Sequence, residues 1–492
     1  MKSKFCLSVL ILSSLAWLTS CSGLPSGPCT VNCGGGGNAN LTISLYDTPP
    51  NGTSVLSFTL PIAGISLTPS SGSPVDVPLS VSSVELTRLQ TDSTVIVDQA
   101  SVTATSYTNI SVTVGPTTST NNLFVNTSGA PITSSAGTCA NNTICTLPVG
   151  AIYTVSIPIT TTLAGNQNYW VGLDFNLSKA ITSVNGISVD FSQPNVLTAT
   201  TQVRTGIPAG SVDTLEDFVG KVTAYAPNSS ITVVSGLTGV SLTASLTSTT
   251  EYDLAPVNYS KCSGTAQNCI AIGSTVSIDT LLSAAGAFTA TEVDVLDATA
   301  VDEVEGIILP TTTAGVVQLV LADKVSASGN SILSASTTTW GSIIYLTAST
   351  PNYSVDTKTL SSQLSNPPGF FGSGDLLGGQ VVRAQVTNVA LNGSNITAIA
   401  NNVLLRYSRL PGTVNTVSGN FFTIAGLPSY IYSLNPTLNT STTQVQTYQN
   451  LTAFDGITSL ADSNFQNGTP VAIRALYLNA TPNFQAAKVR VP

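Results

Sequence analysis

The feature that most constrains this chain is a pattern that occurs three times in its second half. Phe218-Val219-Gly220-Lys221-Val222, Val304-Glu305-Gly306-Ile307-Ile308 and Leu410-Pro411-Gly412-Thr413-Val414 each put a glycine inside an apolar, β-prone run. A Thr- or Gln-led stretch then reaches an aromatic, at Tyr252, Trp340 and Tyr448. A second glycine, Gly273, Gly379 or Gly468, opens an alternating strand, and a last strand follows at Phe288, Ile396 or Phe484. Four marks in one order, repeated three times, predict three similar β units at 215–300, 301–408 and 409–492. Short strands with glycines where a sheet must bend suit small, nearly closed barrels, because closure removes exposed edges. The equivalent spacing predicts that Tyr252, Trp340 and Tyr448 occupy one position and plug each barrel. Residues 351–374, rich in Ser, Pro and Gly, are expected to be a loop insertion in the middle unit.

The segment 40–195 alternates with period two. Leu41, Ile43 and Leu45 face one way and Thr42, Ser44 and Tyr46 the other, so a half-buried strand is expected, ended by the turn residues Asp47 to Gly52. Further strands are expected at Phe58–Leu67, Val81–Leu89, Thr94–Val97, Ile110–Val114, Tyr153–Ile159, Val171–Asn176 and Gly186–Phe191, a number and spacing that suit a β-sandwich. Residues 196–214 read as a linker. The whole is therefore an all-β chain, a sandwich followed by three small barrel-like repeats.

The chain starts with an export signal at 1–20: Lys2 and Lys4, then an apolar run from Phe5 to Trp17 too short to span a bilayer as a mature helix. Leu18-Thr19-Ser20-Cys21 resembles a bacterial lipobox, which implies cleavage before Cys21, lipidation of that cysteine, and a place in the cell envelope. Ser22 in place of Asp favours the outer membrane by resemblance to sorting rules. Residues 21–39, with Gly34 to Gly37, form a flexible stalk. Six further cysteines fall in close pairs, Cys29/Cys33, Cys139/Cys145 and Cys262/Cys269. Local disulfides in an oxidising compartment are favoured over zinc, which would need the pairs to meet in space.

Leu41 to Pro49, Ile62 to Leu67 and Gly172 to Leu177 resemble an uncharacterised domain-of-unknown-function family that opens many bacterial lipoproteins. The resemblance covers about residues 40–195 and implies a sandwich of the transthyretin or carboxypeptidase-regulatory type with no established activity; the insertion at Cys139–Cys145 departs from its simplest pattern. The three repeats resemble a second uncharacterised bacterial family, found in tandem on exported proteins.

Chemistry is bounded by what is scarce. The chain has 492 residues, no His, 15 Lys and Arg against 24 Asp and Glu, and only 8% charged residues. Without His, a Ser-His-Asp or Cys-His centre and a His-ligated zinc are excluded. Few and scattered basic residues argue against nucleic acid as a partner. No G-x-S-x-G elbow occurs, and Gly372 to Gly379 lacks the strand–helix setting of a nucleotide loop. The formal charge of −9 becomes −11 once Lys2 and Lys4 leave with the signal. Asp47, Asp174 and Asp190 are calcium candidates in the sandwich, or turn and surface residues. Glu292, Asp294, Asp297, Asp302, Glu303 and Glu305 form the densest acidic run; calcium at the junction of repeats one and two is weighed against a strand's solvent face and a charged linker. No catalytic residue is marked. The expected function is a non-catalytic envelope module binding polysaccharide or a surface protein, with no cofactor beyond possible calcium. A hydrolase using a carboxylate pair is the alternative.

Overall fold

The structure is a computed structural model. It describes residues 37–491 apart from 48–53, 92, 118–121, 183–186, 200–203, 206–212, 237–238, 255–264, 283–286, 298–300, 328–330, 336, 349, 358–359, 365–368, 436–437 and 441. Cys21, Cys29, Cys33 and Cys262 lie outside the described residues, as do residues 1–20, where the sequence predicts an export signal.

Two sheets face each other over one core in the N-terminal domain. In the first, Asn38–Asp47 is central, parallel to Asn168–Phe175 and antiparallel to Thr94–Thr103. In the second, Tyr153–Thr162, Ser106–Val114, Thr59–Pro69 and Val75–Val77 follow in antiparallel order. Leu41, Ile43 and Leu45 meet Ile65, Leu67, Ile110 and Val112 between them. The expected half-buried first strand is in fact covered on both faces: Thr42 and Ser44 are buried, and Trp170 Nε1 donates to Ser44 Oγ at 3.0 Å. Two other expected strands are shorter than anticipated. Ser83–Glu85 gives way to a 3-10 turn at Leu86–Gln90, its N-terminus capped by Glu85, and among the described residues of the last expected strand Ser188–Val189 is the part that pairs.

Each repeat is a six-stranded sheet rolled so that its third and sixth strands also pair. The strands are Asp213–Ala226, Ser230–Val234, Ser241–Ser245, Glu251–Leu254, Thr275–Leu282 and Phe288–Asp297 in the first barrel. In the second they are Asp302–Pro310, Val316–Val325, Ile343–Thr347, Asn352–Val355, Val381–Asn392 and Asn395–Arg406. The third has Ser408–Ser418, Phe421–Ala425, Gln444–Gln446, Ala453–Asp455, Pro470–Tyr477 and Phe484–Arg490. In all three the order is third, second, first, fifth, sixth, fourth. The sixth strand bears two short parallel neighbours, the third strand near its start and the fourth further along.

Both glycine marks have the same physical cause in every barrel. Gly220, Gly306 and Gly412 pair with Val276, Val382 and Val471 on the fifth strand. A Cβ there would come within 2.3 Å of Val234 O, 2.1 Å of Val320 O and 2.6 Å of Ile424 Cδ1, so only glycine lets the neighbouring strand close in. Gly273, Gly379 and Gly468 all have positive φ, at 93°, 97° and 88°. Their N–H groups donate to Val222 O, Ile308 O and Val414 O, two residues beyond the first glycine each time.

The aromatic mark does not hold. Register places Tyr252 opposite Val293, and its counterparts are Tyr353 opposite Val403 and Phe454 opposite Val489. Trp340 instead lies in the turn before the third strand of its barrel, and Tyr448 in the turn after the third strand of its own. None of the three expected aromatics is fully buried. Fully buried core positions opposite the fourth strands are held by Val293, Val403 and Val489, and the aromatics that are fully buried in the third barrel are others, such as Phe422 and Phe484. The misreading came from the middle barrel. Its fourth strand, Asn352–Val355, sits inside the stretch expected to be a loop, and Tyr353 packs edge-on against Phe370 with ring centroids 5.6 Å apart.

Hydroxyls pair across strands, three times on exposed faces and twice half-buried, where other proteins place ions. Thr113–Thr154, Ser106–Thr162, Thr232–Thr243, Thr416–Thr423 and Thr182–Ser188 are hydrogen-bonded at 2.6–2.9 Å, each at a register pair. Cys139 and Cys145 form a disulfide with Cα atoms 5.8 Å apart, pinning an insertion of the sandwich. Cys269 is also disulfide-bonded.

Candidate functional site: a buried acidic junction

Alternation along the strands creates the site. Val304 points into the second barrel, so Glu303 and Glu305 point outwards; Val382 and Ala384 point in, so Arg383 points out beside them. Neighbouring domains then cover that outer face. Glu303, Glu305, Asp323 and Arg383 are each at most 5% exposed, and Asp294 and Asp297 of the first barrel are buried against the same region. Buried charges are tolerated only when paired.

Two arginines do the pairing. Arg383 Nε donates to Glu303 Oε2 at 2.6 Å, and its Nη1 reaches Glu305 Oε2 at 3.1 Å and Asp323 Oδ2 at 3.5 Å. Arg406 pairs with Asp356 and lies 3.6 Å from Glu305 Oε2 and 4.0 Å from Asp294 Oδ2. Gln385 donates to Asp297 Oδ2, and Asn402 donates to Gln385. Burial pulls Arg383 down, but Glu303, Glu305 and Asp323 outweigh it and hold the guanidinium above its ordinary value. Burial pushes Glu303 up to about 7, against the opposing pull of Arg383. It likewise pushes Asp323 up to about 6, against Arg383 and Arg88, the latter from the sandwich.

The six acids singled out by sequence thus separate into distinct roles. Asp297, Glu303 and Glu305 belong to the network. Asp302 is not in a linker: it opens the second barrel's first strand and caps a turn, accepting from Ala327 N at 2.6 Å and Ser331 Oγ at 2.8 Å. Glu292 and Asp294 share an outward face as expected, but that face is buried. They converge with Asp253 of the adjacent parallel strand, one oxygen from each carboxylate lying within 4.8 Å of the others. Among the described residues this is the one group of three or more metal-ligating side chains so placed, and oxygen donors of this kind suit calcium.

The sandwich acids do not form such a group among the described residues. Asp47 is buried and accepts from Leu177 N at 3.1 Å; burial holds it well above the ordinary carboxylate range, and Asp174 on the parallel neighbour adds to this. Asp190 closes its own turn by accepting from Ser192 and Gln193, which lowers it.

Sequence reading missed Asp253, Asp323, Asp356, Arg383 and Arg406. Their one available signal was a charge at alternate positions of a valine-rich strand, as in Val382-Arg383-Ala384, in a chain with few charges.

Comparison with known proteins adds little chemistry. A family model described as a domain of unknown function (DUF4382) matches residues 38–189, the sandwich. No curated protein matches the chain. Among solved structures, a chain titled drosophila Unr CSD456 is similar at 12% identity, covering 56% of this chain and 97% of that one with a TM-score of 0.13.

Proposed function

We propose that the chain is a lipid-anchored, non-catalytic protein of the bacterial outer membrane that acts as a binding module for envelope polysaccharide. The anchor is Cys21, by resemblance to a lipobox. One observation supports the module reading above others: the ion pairs of Arg383 and Arg406 are buried, while exposed sheet faces carry neutral hydroxyl pairs such as Thr113–Thr154 and Thr232–Thr243. A hydroxyl-rich, weakly charged surface matches a partner that is itself rich in hydroxyls. The convergent trio Asp253, Glu292 and Asp294 has oxygens within 4.8 Å, tighter than the roughly 5–10 Å between glycosidase carboxylates. That convergence of oxygen donors suits a cation such as calcium.

Two measurements test this reading. Cys21→Ser should shift the protein from the membrane to the soluble fraction or block its processing; unchanged membrane association removes the anchor. The protein lacking residues 1–21 should be retained on immobilised envelope polysaccharide without releasing reducing ends. Release of reducing ends supports the hydrolase instead, and retention only by a surface protein moves the partner class.

A further inference from the structure

No Asp, Glu, Lys or Arg occurs between Asp98 and Asp174, the stretch that supplies Ser106–Val114 and Tyr153–Thr162 to the second sheet of the sandwich. Alternation sends Ile110, Val112 and Ile157 into the core, so the residues between them make up the outer face. Register lines those residues up in rows across three strands. Thr154 lies opposite Thr113; Ser156 lies opposite Ser111, which lies opposite Ser66; Asn109 lies opposite Thr68. Rows are about 6.8 Å apart along the strands, and neighbours within a row about 4.8 Å apart. Thr154 and Ser156 are exposed on the edge strand, and Ser111, Thr113 and Ser66 are half-buried beside them. Among the described residues, Asp76 at the rim is the one charge that register brings to these rows, opposite Ser66. The sandwich meets the third barrel through Tyr46, Gln90, Thr91 and Leu123, none of which lies on this face.

We propose that this face is where the sandwich docks a neutral polysaccharide, an extended glycan without carboxylate, sulfate or amino groups. The inference rests on the binding-module reading and names the surface and the class of glycan. Charge selects the partner. An anionic polymer finds no cation in the rows, and a cationic one finds a single carboxylate at the rim. Hydroxyls both donate and accept, as sugar hydroxyls do. Thr113 and Thr154 pair at 2.8 Å, which uses one of their two O–H groups and leaves the other, with the spare lone pairs, to a ligand. Covering the rows strips no ion of its water, the large penalty that a charged face would carry. Ser and Thr are short, so they lose less rotamer freedom under a ligand than Lys, Arg or Glu would. The rows hold no aromatic to stack on one sugar ring. Retention therefore comes from many weak hydrogen bonds along a chain, and a free monosaccharide does not compete.

The test uses the protein lacking residues 1–21 on columns of immobilised dextran, β-1,3-glucan and mannan, with alginate as the acidic polysaccharide. The wild type should be retained on at least one neutral column and pass through alginate. Soluble polymer of the retaining kind should release it, and glucose or mannose should not. Ser111→Lys puts a charge in the middle of the rows and should weaken retention about tenfold. Ser156→Lys, at an exposed position on the edge strand, should do the same, which keeps the test open if the first variant does not fold. Ser394→Lys, at the exposed tip of a hairpin in the second barrel, should bind as the wild type does. Equal retention of the wild type and both face variants overturns the docking face and leaves the module reading standing. Retention on alginate alone, or release by a monosaccharide, overturns the class of ligand. A wild type that no polysaccharide retains overturns both readings.

Discussion

The second barrel meets the first through buried polar and charged groups beside a small apolar cluster of Val219, Leu296 and Leu404, whereas the third barrel meets the sandwich mostly through apolar surface. At the latter junction Leu56, Leu123 and Val125 share one core cluster with Leu410, Tyr430 and Ile431. Ser54 and Ser429 hydroxyls pair at 2.6 Å, Lys488 Nζ donates to Thr91 O at 3.0 Å, and Arg490 donates to Gln90 O at 3.3 Å while covering the Tyr46 ring. There the two cations bridge to the sandwich through backbone carbonyls and a ring face; in the second barrel Arg383 and Arg406 meet carboxylates. One chain therefore holds its domains together by two chemistries with different responses to solution conditions. The ionic one is an addition to the barrel design. The position of Arg383 is occupied by Ser277 in the first barrel and Ala472 in the third, and that of Glu305 by Val219 and Pro411.

The largest expected effect lies on the ionic side. Arg383→Ala leaves Glu303, Glu305 and Asp323 buried without their shared cation and should cost about 3–5 kcal/mol in denaturant unfolding. Its cost should shrink in mild acid, where Glu303 and Asp323 take up protons. A loss that does not change with pH would mean the carboxylates are balanced some other way. On the apolar side, Leu123→Ala should cost about 2–5 kcal/mol through lost burial and a cavity, equally at pH 5 and pH 8. A pH-dependent loss there would erase the contrast between the two junctions.

Smaller effects separate local staples from both. Replacing Cys139 and Cys145 together with serine should cost about 2–3 kcal/mol, from the freed short loop. Calorimetry should locate that loss in the sandwich and leave the barrels unchanged. Trp340→Ala should cost only about 1 kcal/mol, as for a half-buried turn residue. A cost as large as that of a core aromatic would restore the discarded plug.

The repeat and the sandwich were legible because each rests on local rules. Gly220, Gly306 and Gly412 are marked by close backbone approach, and Gly273, Gly379 and Gly468 by positive φ, constraints that act on a residue through its own neighbourhood. Tyr353 escaped notice because its strand is only four residues long and lies among loop-forming residues. The acidic run was visible as composition, but its meaning was not. Asp297 and Glu303 are close in sequence, yet Arg383 lies 80 residues from Glu303 and reaches it only after the barrel closes. Alternation correctly put Glu292 and Asp294 on an outer face, and nothing in one strand's pattern can say that another domain will cover it.

The contacts of Lys488 and Arg490 with the sandwich join residues 397 and 400 positions apart. Whether the chain emerges from a ribosome or across a membrane, the partner strand arrives some 400 residues after the loop at Gln90 and Thr91. For that interval Leu56, Leu123 and Val125 have no third-barrel core to pack against. The early domain therefore carries an uncovered apolar patch until Leu410, Tyr430 and Ile431 arrive to cover it.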